Sequence, residues 1–543
     1  MQGESNPFPL FGREEIFERL GKRLEALKKG YRQNLGLVGP RHIGKTQLLS
    51  RFLGEARKDP EIISIYVSLE GSDFESFSEK WLGGLLQGFL ITQGIPFPDE
   101  FQTLVKISRT FIPKTLDGMR EAKKHAFHKR TSLAFRALLA LTGTLREETG
   151  KKILLILDEF QNLGDLEVSD PFGLFGKEMM VQKDTLYLAT SSEPHKTDEI
   201  FGERLSLLFG NFELIPMNGL KLEALRLCAL EKYPEIKIPE EDWRVLSHLL
   251  GNSPYYFDLF FEGIRTLGLR KGSFEGGRER MREAAYETLF SDRGLLNRHF
   301  ESRLQTLPSL GRSRRPYSKT LLALAHGRVR VLPVAAYLGK KTPEARKLLQ
   351  RLVEEGTAEK SGSFYRLPDP LFRFWLRNVF QTKDRDLHPD KSGARAHFEK
   401  RWDEEVRKIE EEDRTDLTER VSSLFREFRN DLVEIDRKRM KCPAFLEIGT
   451  RPTNGRYFPI LARTSQGRWF CQVARETLTE ADVAGFAEEL KRFRRNTQRR
   501  IVVALGGMDL NAKLMAQEAK IQIWDLDNFN ALLDLYGKLK VIA

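Results

Sequence analysis

Cysteine is scarce in this sequence, and long apolar runs are missing from it. Only Cys228, Cys442 and Cys471 occur among 543 residues, and they lie far apart. An odd number of separated cysteines favours neither a disulfide framework nor a zinc site, so a reducing cytoplasmic compartment fits. No apolar run reaches the length of a membrane span, and we therefore expect a soluble protein without a membrane partner.

Acidic residues are outnumbered by basic ones. The chain carries 89 Lys and Arg against 77 Asp and Glu, which gives a formal net charge of +12. This balance favours a polyanionic partner, although a generally basic solvated surface would have the same composition. A chain of this length is too long for one hydrophobic core, so we expect about two to four domains.

The most informative stretch runs from Leu35 to Thr46. Its apolar start predicts a buried strand, which then breaks into Gly-x-x-x-x-Gly-Lys-Thr and is followed by the pattern of an amphipathic helix. Such a loop holds a triphosphate with backbone N–H groups, while the lysine reaches the outer phosphates and the hydroxyl binds Mg²⁺. The predicted phosphate-binding residues are Gly39, Pro40, Arg41, His42, Ile43, Gly44, Lys45, Thr46 and Gln47, with Lys45 also catalytic and Thr46 also a metal ligand.

A second motif, which ends in two acidic residues, follows at residues 151–160. Five consecutive large aliphatic residues precede Asp158 and Glu159, which is typical of a strand buried on both faces in a parallel sheet. Ligands of such sheets gather at the carboxyl ends of the strands. Asp158 is therefore predicted to hold Mg²⁺ and Glu159 to polarise the attacking water. A solvated acidic loop is the alternative, and the spacing after the phosphate loop favours the site.

Three further strands are predicted at residues 62–67, 185–189 and 212–217, with helical patterns between them. Five strands with intervening helices indicate a doubly wound α/β nucleotide-binding domain. Residues 219–300 then show helical periodicity without a strong strand. The sequence therefore predicts a parallel-sheet domain followed by a helical lid.

The order of these motifs resembles the archaeal-type ATPase family, which is close to the AAA+ and STAND groups. The resemblance covers roughly residues 7–270 and implies ATP as the nucleotide. It rests on Phe11-Gly12-Arg13-Glu14, the phosphate loop, the strand that ends in Asp158-Glu159, Ser191-Ser192, and Gly251-Asn252-Ser253-Pro254-Tyr255-Tyr256.

The resemblance implies roles for residues outside the phosphate loop. Phe11 and Arg13 would lie near the adenine, although the same box could simply begin a helix. Thr190 and Ser192 would act as a sensor of the γ-phosphate, or they could cap the next helix instead. Pro254 would lie near the base and report its presence, although a bare helix break would look identical.

One departure from the family pattern concerns the arginine finger. Such proteins often carry Gly-Arg just before the fifth strand, and this chain has Gly210-Asn211 there. The nearest basic residue is Arg204, so the source of an arginine finger is in doubt.

Residues 306–380 contain a smaller module. Helices are predicted at 317–325, 332–338 and 342–355, and a hairpin flanks Ser361-Gly362. Three helices and a wing resemble the winged helix-turn-helix. If this module binds DNA, we expect the third helix to enter the major groove and Lys360 or Arg366 to contact the backbone. Alternatively, the module packs against the ATPase and holds a closed state. The predicted nucleic-acid contacts are Arg346, Lys347, Arg351 and Lys360.

The C-terminal stretch has an order of elements of its own. Strands are predicted at 444–448, 457–462 and 469–473, followed by helix, strand, helix, strand and helix, an order that resembles the PD-(D/E)XK nuclease-like fold. The positions matching its acids and lysine are Pro459, Gln472 and Ala474, so we expect neither catalytic Mg²⁺ nor cleavage there. The basic stretch 491–495 either follows phosphates or is a solvated face.

We therefore predict an α/β protein that binds ATP, hydrolyses it slowly and couples nucleotide state to binding of double-stranded DNA. A protein partner and an ATP-dependent homo-oligomer are compatible with this function. The alternatives are an ATP-dependent nuclease of a defence or mobile-element system and a STAND-type signalling scaffold without nucleic-acid binding. The predicted domains are a P-loop ATPase core (1–218), a helical lid (219–305), a winged helix-turn-helix (306–380), a linker (381–398) and a degenerate PD-(D/E)XK nuclease-like domain (399–543).

Overall fold

The computed structural model describes residues 11–96, 100–201, 212–274, 276–307, 313–384, 391–435, 438–450, 460–491 and 497–542. The chain divides into two compact units, Met1–Lys232 with Ser253–Tyr255, and Tyr233–Asn252 with Tyr256–Ala543. Across the described ranges, no helix combines the length and the apolar character that a bilayer crossing requires. Arg204, Gly210, Asn211, Pro459 and the basic stretch 492–495 lie outside the described residues.

The first unit is built on a parallel sheet of five strands. They are β1 (Asn34–Val38), β2 (Ile62–Ser68), β3 (Lys152–Asp158), β4 (Thr185–Ser191) and β5 (Phe212–Pro216). They pair in the order β2-β3-β4-β1-β5, and every pairing is parallel. The predicted α/β class with a parallel sheet is therefore confirmed, and each predicted strand is present.

Helices pack on both faces of this sheet, so alternate residues of its strands enter different hydrophobic cores. On β3, Leu154 and Ile156 join one core, while Ile153, Leu155 and Leu157 join the other. Alternation of this kind explains why the strand reads as one continuous aliphatic run. The helices are α1 (Glu14–Lys28), α2 (Lys45–Ala56), α3 (Phe74–Thr92), α4 (Phe101–Ser108), α5 (Pro113–Phe127), α6 (Thr131–Thr149), α7 (Pro171–Val181), α8 (Pro194–Glu199) and α9 (Leu222–Lys232).

The second unit begins with a group of helices. Its aromatic core includes Trp375, whose indole N–H donates to the Asn297 side chain at 2.9 Å. Helices run through part of the stretch predicted as a linker, at residues 381–384 and from 391 onward. The helices are α10 (Glu240–Leu250), α11 (Pro254–Lys271, whose first two residues belong to the first unit), α12 (Arg278–Ala285), α13 (Leu295–Gln305), α17 (Pro370–Trp375), α18 (Gln381–Asp384) and α19 (Lys391–Arg414).

Three helices and a hairpin occupy the positions expected for the small module of residues 306–380. The third helix ends at Glu354, two residues before Gly356, and a two-stranded antiparallel hairpin comes next. The elements are α14 (Arg315–Ala325), α15 (Val331–Leu338), α16 (Thr342–Glu354), β6 (Glu359–Ser361) and β7 (Phe364–Arg366).

A second sheet forms the C-terminal part of this unit. Its five strands pair in chain order, the first two pairings antiparallel and the last two parallel. A separate hairpin of β8 and β9, absent from the sequence prediction, precedes it. The elements are α20 (Leu417–Arg426), β8 (Asp431–Ile435), β9 (Lys438–Cys442), β10 (Glu447–Thr450), β11 (Ile460–Arg463), β12 (Arg468–Ala474), α21 (Glu480–Lys491), β13 (Thr497–Ala504), α22 (Leu510–Glu518), β14 (Gln522–Asp525) and α23 (Leu526–Leu535).

Candidate nucleotide-binding site

The loop between β1 and α2 has a backbone that requires its glycines. Gly44 has a φ of 93°, a conformation that costs a side-chain-bearing residue free energy. At Gly39, an added Cβ would lie 2.1 Å from the backbone oxygen of Met217. His42 also has a positive φ, 63°, so the loop turns sharply just before the helix. The predicted phosphate-loop residues therefore form one tight turn at the carboxyl end of β1.

Backbone donors are open at the start of α2. In the described part of the chain, the N–H groups of residues 43–46 have no protein acceptor. Such groups at a helix N-terminus carry partial positive charge and bind anions. Their open state fits a phosphate group placed in the turn.

Lys45 lies across this turn. Its Nζ donates to the carbonyl oxygens of Gly39 and Pro40, each at 2.9 Å, and the residue is 4% exposed. Burial lowers the pKa of Lys45, while Glu159 and Asp158 act in the opposite direction. The ammonium is thus held within the loop that a phosphate would enter.

The Thr46 hydroxyl donates to Oδ2 of Asp158 at 3.0 Å, which joins the phosphate loop to the end of β3. Two hydroxyls from neighbouring strands also donate to this carboxylate, Tyr66 of β2 at 2.8 Å and Thr190 of β4. Burial, together with Asp158, raises the pKa of Tyr66, which keeps its phenol protonated as a donor. The carboxyl ends of three adjacent strands therefore converge with α2 at one point.

Glu159 follows β3 in a left-handed conformation, with a φ of 55°. Its N–H donates to the Thr190 hydroxyl at 3.0 Å, and its Oε2 accepts from Gln161 Nε2 at 2.5 Å and from the Ser192 hydroxyl. Thr190 and Ser192, predicted as a sensor or as a helix cap, thus direct their hydroxyls to the acidic pair. No sequence pattern indicates a role for Gln161.

Residues 253–255 contact the phosphate loop and belong to the first unit. The ring of Tyr255 stacks on His42, with centroids 4.6 Å apart and planes inclined by 22°. The hydroxyl of Ser253 donates to the backbone oxygen of His42 at 3.2 Å. The predicted base-reporting residue, Pro254, lies between these two contacts. The structure therefore brings the Gly251–Tyr256 motif to the loop through residues on either side of the proline.

Arg13 connects two segments at the edge of the same loop. Its guanidinium donates to the backbone oxygens of Asn218 at 2.5 Å and Ile43 at 3.3 Å, and burial lowers its pKa. Gly12 has a φ of 70°, and an added Cβ would lie 2.8 Å from Ala224. Phe11, the other predicted adenine-side residue, is half-buried. The motif therefore both begins α1 and ties the phosphate loop to the chain after β5.

The residues predicted to contact DNA differ in how free they are. Arg346, Lys347 and Lys360 are exposed and make no ion pair in the part of the chain that the structure describes. Arg351 is exposed and pairs with Glu354 at 3.3 Å and with Glu355 at 2.9 Å. Three of the four predicted cations are thus available to phosphate groups.

Arg366 corrects an expectation. The sequence predicts Arg366, as an alternative to Lys360, to contact the DNA backbone. In the structure its guanidinium pairs with Glu359 at 2.7 Å and with the buried Asp534. Arg373 also pairs with Asp534, at 2.9 Å. Because Asp534 lies far along the chain, in α23, the local sequence did not reveal this partner. Arg366 holds the hairpin to the C-terminal part of the unit.

The β6–β7 hairpin is covered at its tip. The N–H of Ser363 donates to the Leu432 oxygen at 2.9 Å, and an added Cβ on Gly362 would lie 2.1 Å from that oxygen. The Ser361 hydroxyl donates to the Glu434 oxygen at 2.7 Å. Phe364 enters the hydrophobic core of the C-terminal sheet. The tip therefore lies against β8 and does not project freely.

The positions that match a nuclease centre carry no acid within the described residues. Gln472 on β12 is 4% exposed, and its Oε1 has no hydrogen-bond partner in the described part of the chain. Ala474 is half-buried, and Pro459 lies outside the described residues. The side chains at Gln472 and Ala474 do not provide the ligands that a catalytic metal requires.

Comparisons with known proteins complete this description. No protein-family model matches the sequence, and no curated protein does either. Similar solved structures include the Walker-type ATPase PABY2304 of Pyrococcus abyssi, which is 20% identical with a TM-score of 0.47 over 69% of this chain and 98% of the other. The Aeropyrum pernix ORC1 protein in complex with DNA is 13% identical, with a TM-score of 0.41 over 70% and 94%.

A third similar structure is the Thermotoga maritima RuvB Holliday junction branch migration motor. It is 11% identical to this chain, with a TM-score of 0.35 over 67% of this chain and 95% of the other. Likeness at this level concerns the fold and carries no information about activity. The chemistry must therefore be judged from the contacts described above.

Proposed function

We propose that this protein binds ATP with Mg²⁺, hydrolyses it slowly, and uses the nucleotide state to control binding of double-stranded DNA. The observation that carries this proposal is the Thr46–Asp158 contact at 3.0 Å, beside the open N–H groups of residues 43–46. A hydroxyl and a carboxylate at the edge of an anion-binding turn are the groups that accompany Mg²⁺ and phosphate in a P-loop.

Each residue of the site has a separate task in this proposal. The N–H groups of residues 43–46 would hold the phosphates, and Lys45 would leave the Gly39 and Pro40 carbonyls to contact the outer ones. Thr46 and Asp158 would hold Mg²⁺, which supplies charge neutralisation when bound. Tyr66 and Thr190 keep Asp158 oriented by donating to its carboxylate.

Glu159 is the proposed general base. Its Oε2 accepts from Gln161 and Ser192, which fixes the direction of the carboxylate and leaves Oε1 to accept a proton from an attacking water. We propose a slow rate because the Gly-Arg pair common in the family is Gly210-Asn211 in this chain. An arginine that stabilises transition-state charge is worth several orders of magnitude in rate.

The coupling to the rest of the chain would begin at His42. A nucleotide can change a conformational equilibrium only through contacts that differ between the two states. Phosphate binding at residues 43–46 would reposition the adjacent His42, which stacks on Tyr255. Tyr255 lies in the first turn of α11, and the chain enters the second unit directly after it.

The proposed DNA contact is the exposed face of α16. Arg346 and Lys347 are exposed there, and Lys360 follows on β6. The hairpin tip is occupied by β8, so the proposal places major-groove contact on the helix rather than on the wing. The module's winged helix-turn-helix character is part of this proposal, as is the nuclease-like character of the C-terminal sheet.

The DNA titration that tests this proposal uses a labelled duplex, with and without ATP and Mg²⁺, at two salt concentrations. We expect affinity that falls steeply with salt and that changes with nucleotide. A STAND-type scaffold that only oligomerises on ATP would show no such binding. If the protein were instead an ATP-dependent nuclease, it would cleave the duplex in the presence of a metal ion. We expect no cleavage, because Gln472 and Ala474 stand where a nuclease has its catalytic groups.

A further inference from the structure

The α5–α6 hairpin is defined here as residues 106–136, which are the end of α4, all of α5 and the first six residues of α6, and it holds much of the positive charge of the chain. Nine basic and two acidic side chains leave it with a net charge of +7, against +12 for the whole protein. All nine are exposed. The basic residues are Lys106, Arg109, Lys114, Arg120, Lys123, Lys124, Lys129, Arg130 and Arg136.

Internal ion pairs neutralise little of this charge. Among the described residues 106–136, the Arg120–Asp117 pair at 2.6 Å is the only ion pair that a Lys or Arg makes. Farther along α6, Arg146 pairs with Asp184 at 2.5 Å, and Glu148 accepts from the N–H groups of Lys114 and Thr115. The Lys123 ammonium lies 4.1 Å from the centre of the Phe101 ring, a cation–π contact that leaves the charge in place. The hairpin therefore presents a concentrated positive potential to solvent.

The helix α5 ends in an aromatic side chain that lies outside the hydrophobic core. Phe127 is the last residue of α5 and is 85% exposed, the highest value among the large apolar side chains that the structure describes. The ring of His128 lies 5.6 Å from it. The turn then passes through Lys129, with a φ of 56°, and Arg130 before α6 begins. An exposed aromatic pair is thus flanked by cations on both sides.

The two faces of α5 have separate roles. Leu116, Met119 and Ala122 are buried on one side, so the fold of the hairpin does not depend on Phe127. The outer face is charged rather than apolar, and it carries Lys124 next to the aromatic tip. A helix that inserts into a lipid surface needs a broad apolar face, which α5 does not present to solvent.

We propose that the α5–α6 hairpin binds single-stranded nucleic acid, with phosphates on Lys124, Lys129 and Arg130 and an unpaired base stacked on Phe127. Cations that follow a backbone, combined with an exposed aromatic face, are the chemistry of single-strand binding. In a continuous duplex the base faces are already stacked, so the Phe127 ring would gain no partner without unstacking. This site lies in the first unit and does not rest on DNA binding by α16.

The test is a fluorescence anisotropy titration of the full-length protein with a labelled oligothymidine and with a duplex of equal length. Phe127→Ala should weaken oligothymidine binding by about 5- to 100-fold, the range for loss of one base–aromatic stack, and should leave duplex binding unchanged. Phe127→Trp should retain the affinity. Leu510→Ala is the matched control, because Leu510 is 73% exposed on α22 and should have no effect.

The phosphate contacts have their own signature. Replacing Lys129 and Arg130 together by Ala should reduce the salt slope of oligothymidine binding by about 1.4, the value for two lost contacts to a single strand. Circular dichroism of each variant checks that the hairpin remains helical. The proposal is overturned if Phe127→Ala and Leu510→Ala behave alike, or if Phe127→Ala weakens duplex and oligothymidine equally. A parallel titration uses phosphatidylserine-containing vesicles. The proposal is also overturned if the hairpin variants lose binding to these vesicles and keep binding to oligothymidine.

Discussion

The rings of His42 and Tyr255 stack 4.6 Å apart, although the two residues lie in distant parts of the sequence. His42 is part of the turn that would hold phosphate, and Tyr255 is part of the first turn of α11. The chain leaves the first unit immediately after Tyr255. We propose that occupancy of the phosphate loop acts on α11 through this contact.

Loss of the Tyr255 ring should uncouple nucleotide from DNA. Tyr255→Ala removes a stacking interaction worth about 0.5–1.5 kcal/mol, whereas Tyr255→Phe keeps it. We expect the Ala variant to bind ATP but to show a DNA affinity that no longer responds to ATP. The Phe variant should respond as the original protein does. A nucleotide response that survives in Tyr255→Ala would exclude this contact from the coupling.

Replacing the proposed base should separate binding from turnover. Glu159→Gln keeps a hydrogen-bonding group for Gln161 and Ser192 but removes the proton acceptor, so turnover should fall by about 10²- to 10⁴-fold. ATP affinity, measured by calorimetry, should change little. Glu167→Gln, an exposed residue shortly after the site, is the control and should hydrolyse ATP normally. Equal rates for the two variants would remove Glu159 from the chemistry.

The face of α16 can be tested through the salt dependence of duplex binding. Lys347→Ala should weaken binding to all sequences alike and should reduce the salt slope by about 1, because one phosphate contact is lost. Lys513→Ala, an exposed lysine on α22, should leave both quantities unchanged. A slope that is the same in both variants would place the duplex elsewhere.

Asp534 should hold the β6–β7 hairpin in a pH-dependent way. Burial alone would raise the pKa of Asp534, but the charges of Lys540, Arg373 and Arg366 lower it well below its usual value. A carboxyl with a lowered pKa contributes stability above its unfolded-state value of about 3.9, and loses it as the pH falls below that value. Asp534→Asn should therefore destabilise the hairpin at pH 7 by about 1.5–3 kcal/mol, because the half-buried guanidinium groups of Arg366 and Arg373 lose a charged acceptor, while Arg366 keeps Glu359.

Hydrogen exchange of residues 359–366 measures this effect. Protection in Asp534→Asn should be far below that of the original protein at pH 7, and the difference should narrow in acid below about pH 4. Asp527→Asn, an exposed position on α23, should match the original protein at both pH values. A difference that persists unchanged in acid would mean that the charge of Asp534 does not carry the stability.

Sequence reasoning succeeded where the signal is local. The strand, turn and helix around Gly44 were predicted because each is encoded by neighbouring residues. The meeting of Thr46 with Asp158 followed from the rule that parallel strands present their carboxyl ends at one edge. The contacts of Tyr66 with Asp158 and of Tyr255 with His42 were not predicted, because in each case the partner lies on a distant segment of the chain.

Other differences have equally specific causes. The β8–β9 hairpin was not predicted because the sequence between Ile435 and Lys438 lacks the Gly or Asn that usually indicates a hairpin. The Lys, Asp, Pro, Ser and Gly of residues 381–395 indicated a linker, yet α19 begins at Lys391, and its buried Phe398 and Trp402 supply the packing that propensity does not. In both segments, contacts with distant parts of the chain determine the secondary structure.

We propose that the turn at Gly39–Thr46 binds ATP through its backbone and Lys45. Calorimetric titration of ATP in the presence of Mg²⁺ measures this binding. We predict that Lys45→Ala loses tight binding, by about 10- to 100-fold or more, because each charge-assisted contact is worth about 1.5–3 kcal/mol. Lys58→Ala, at an exposed lysine paired with Glu55 just after α2, should bind as the original protein does. An undiminished affinity of Lys45→Ala for ATP would show that this turn does not bind ATP.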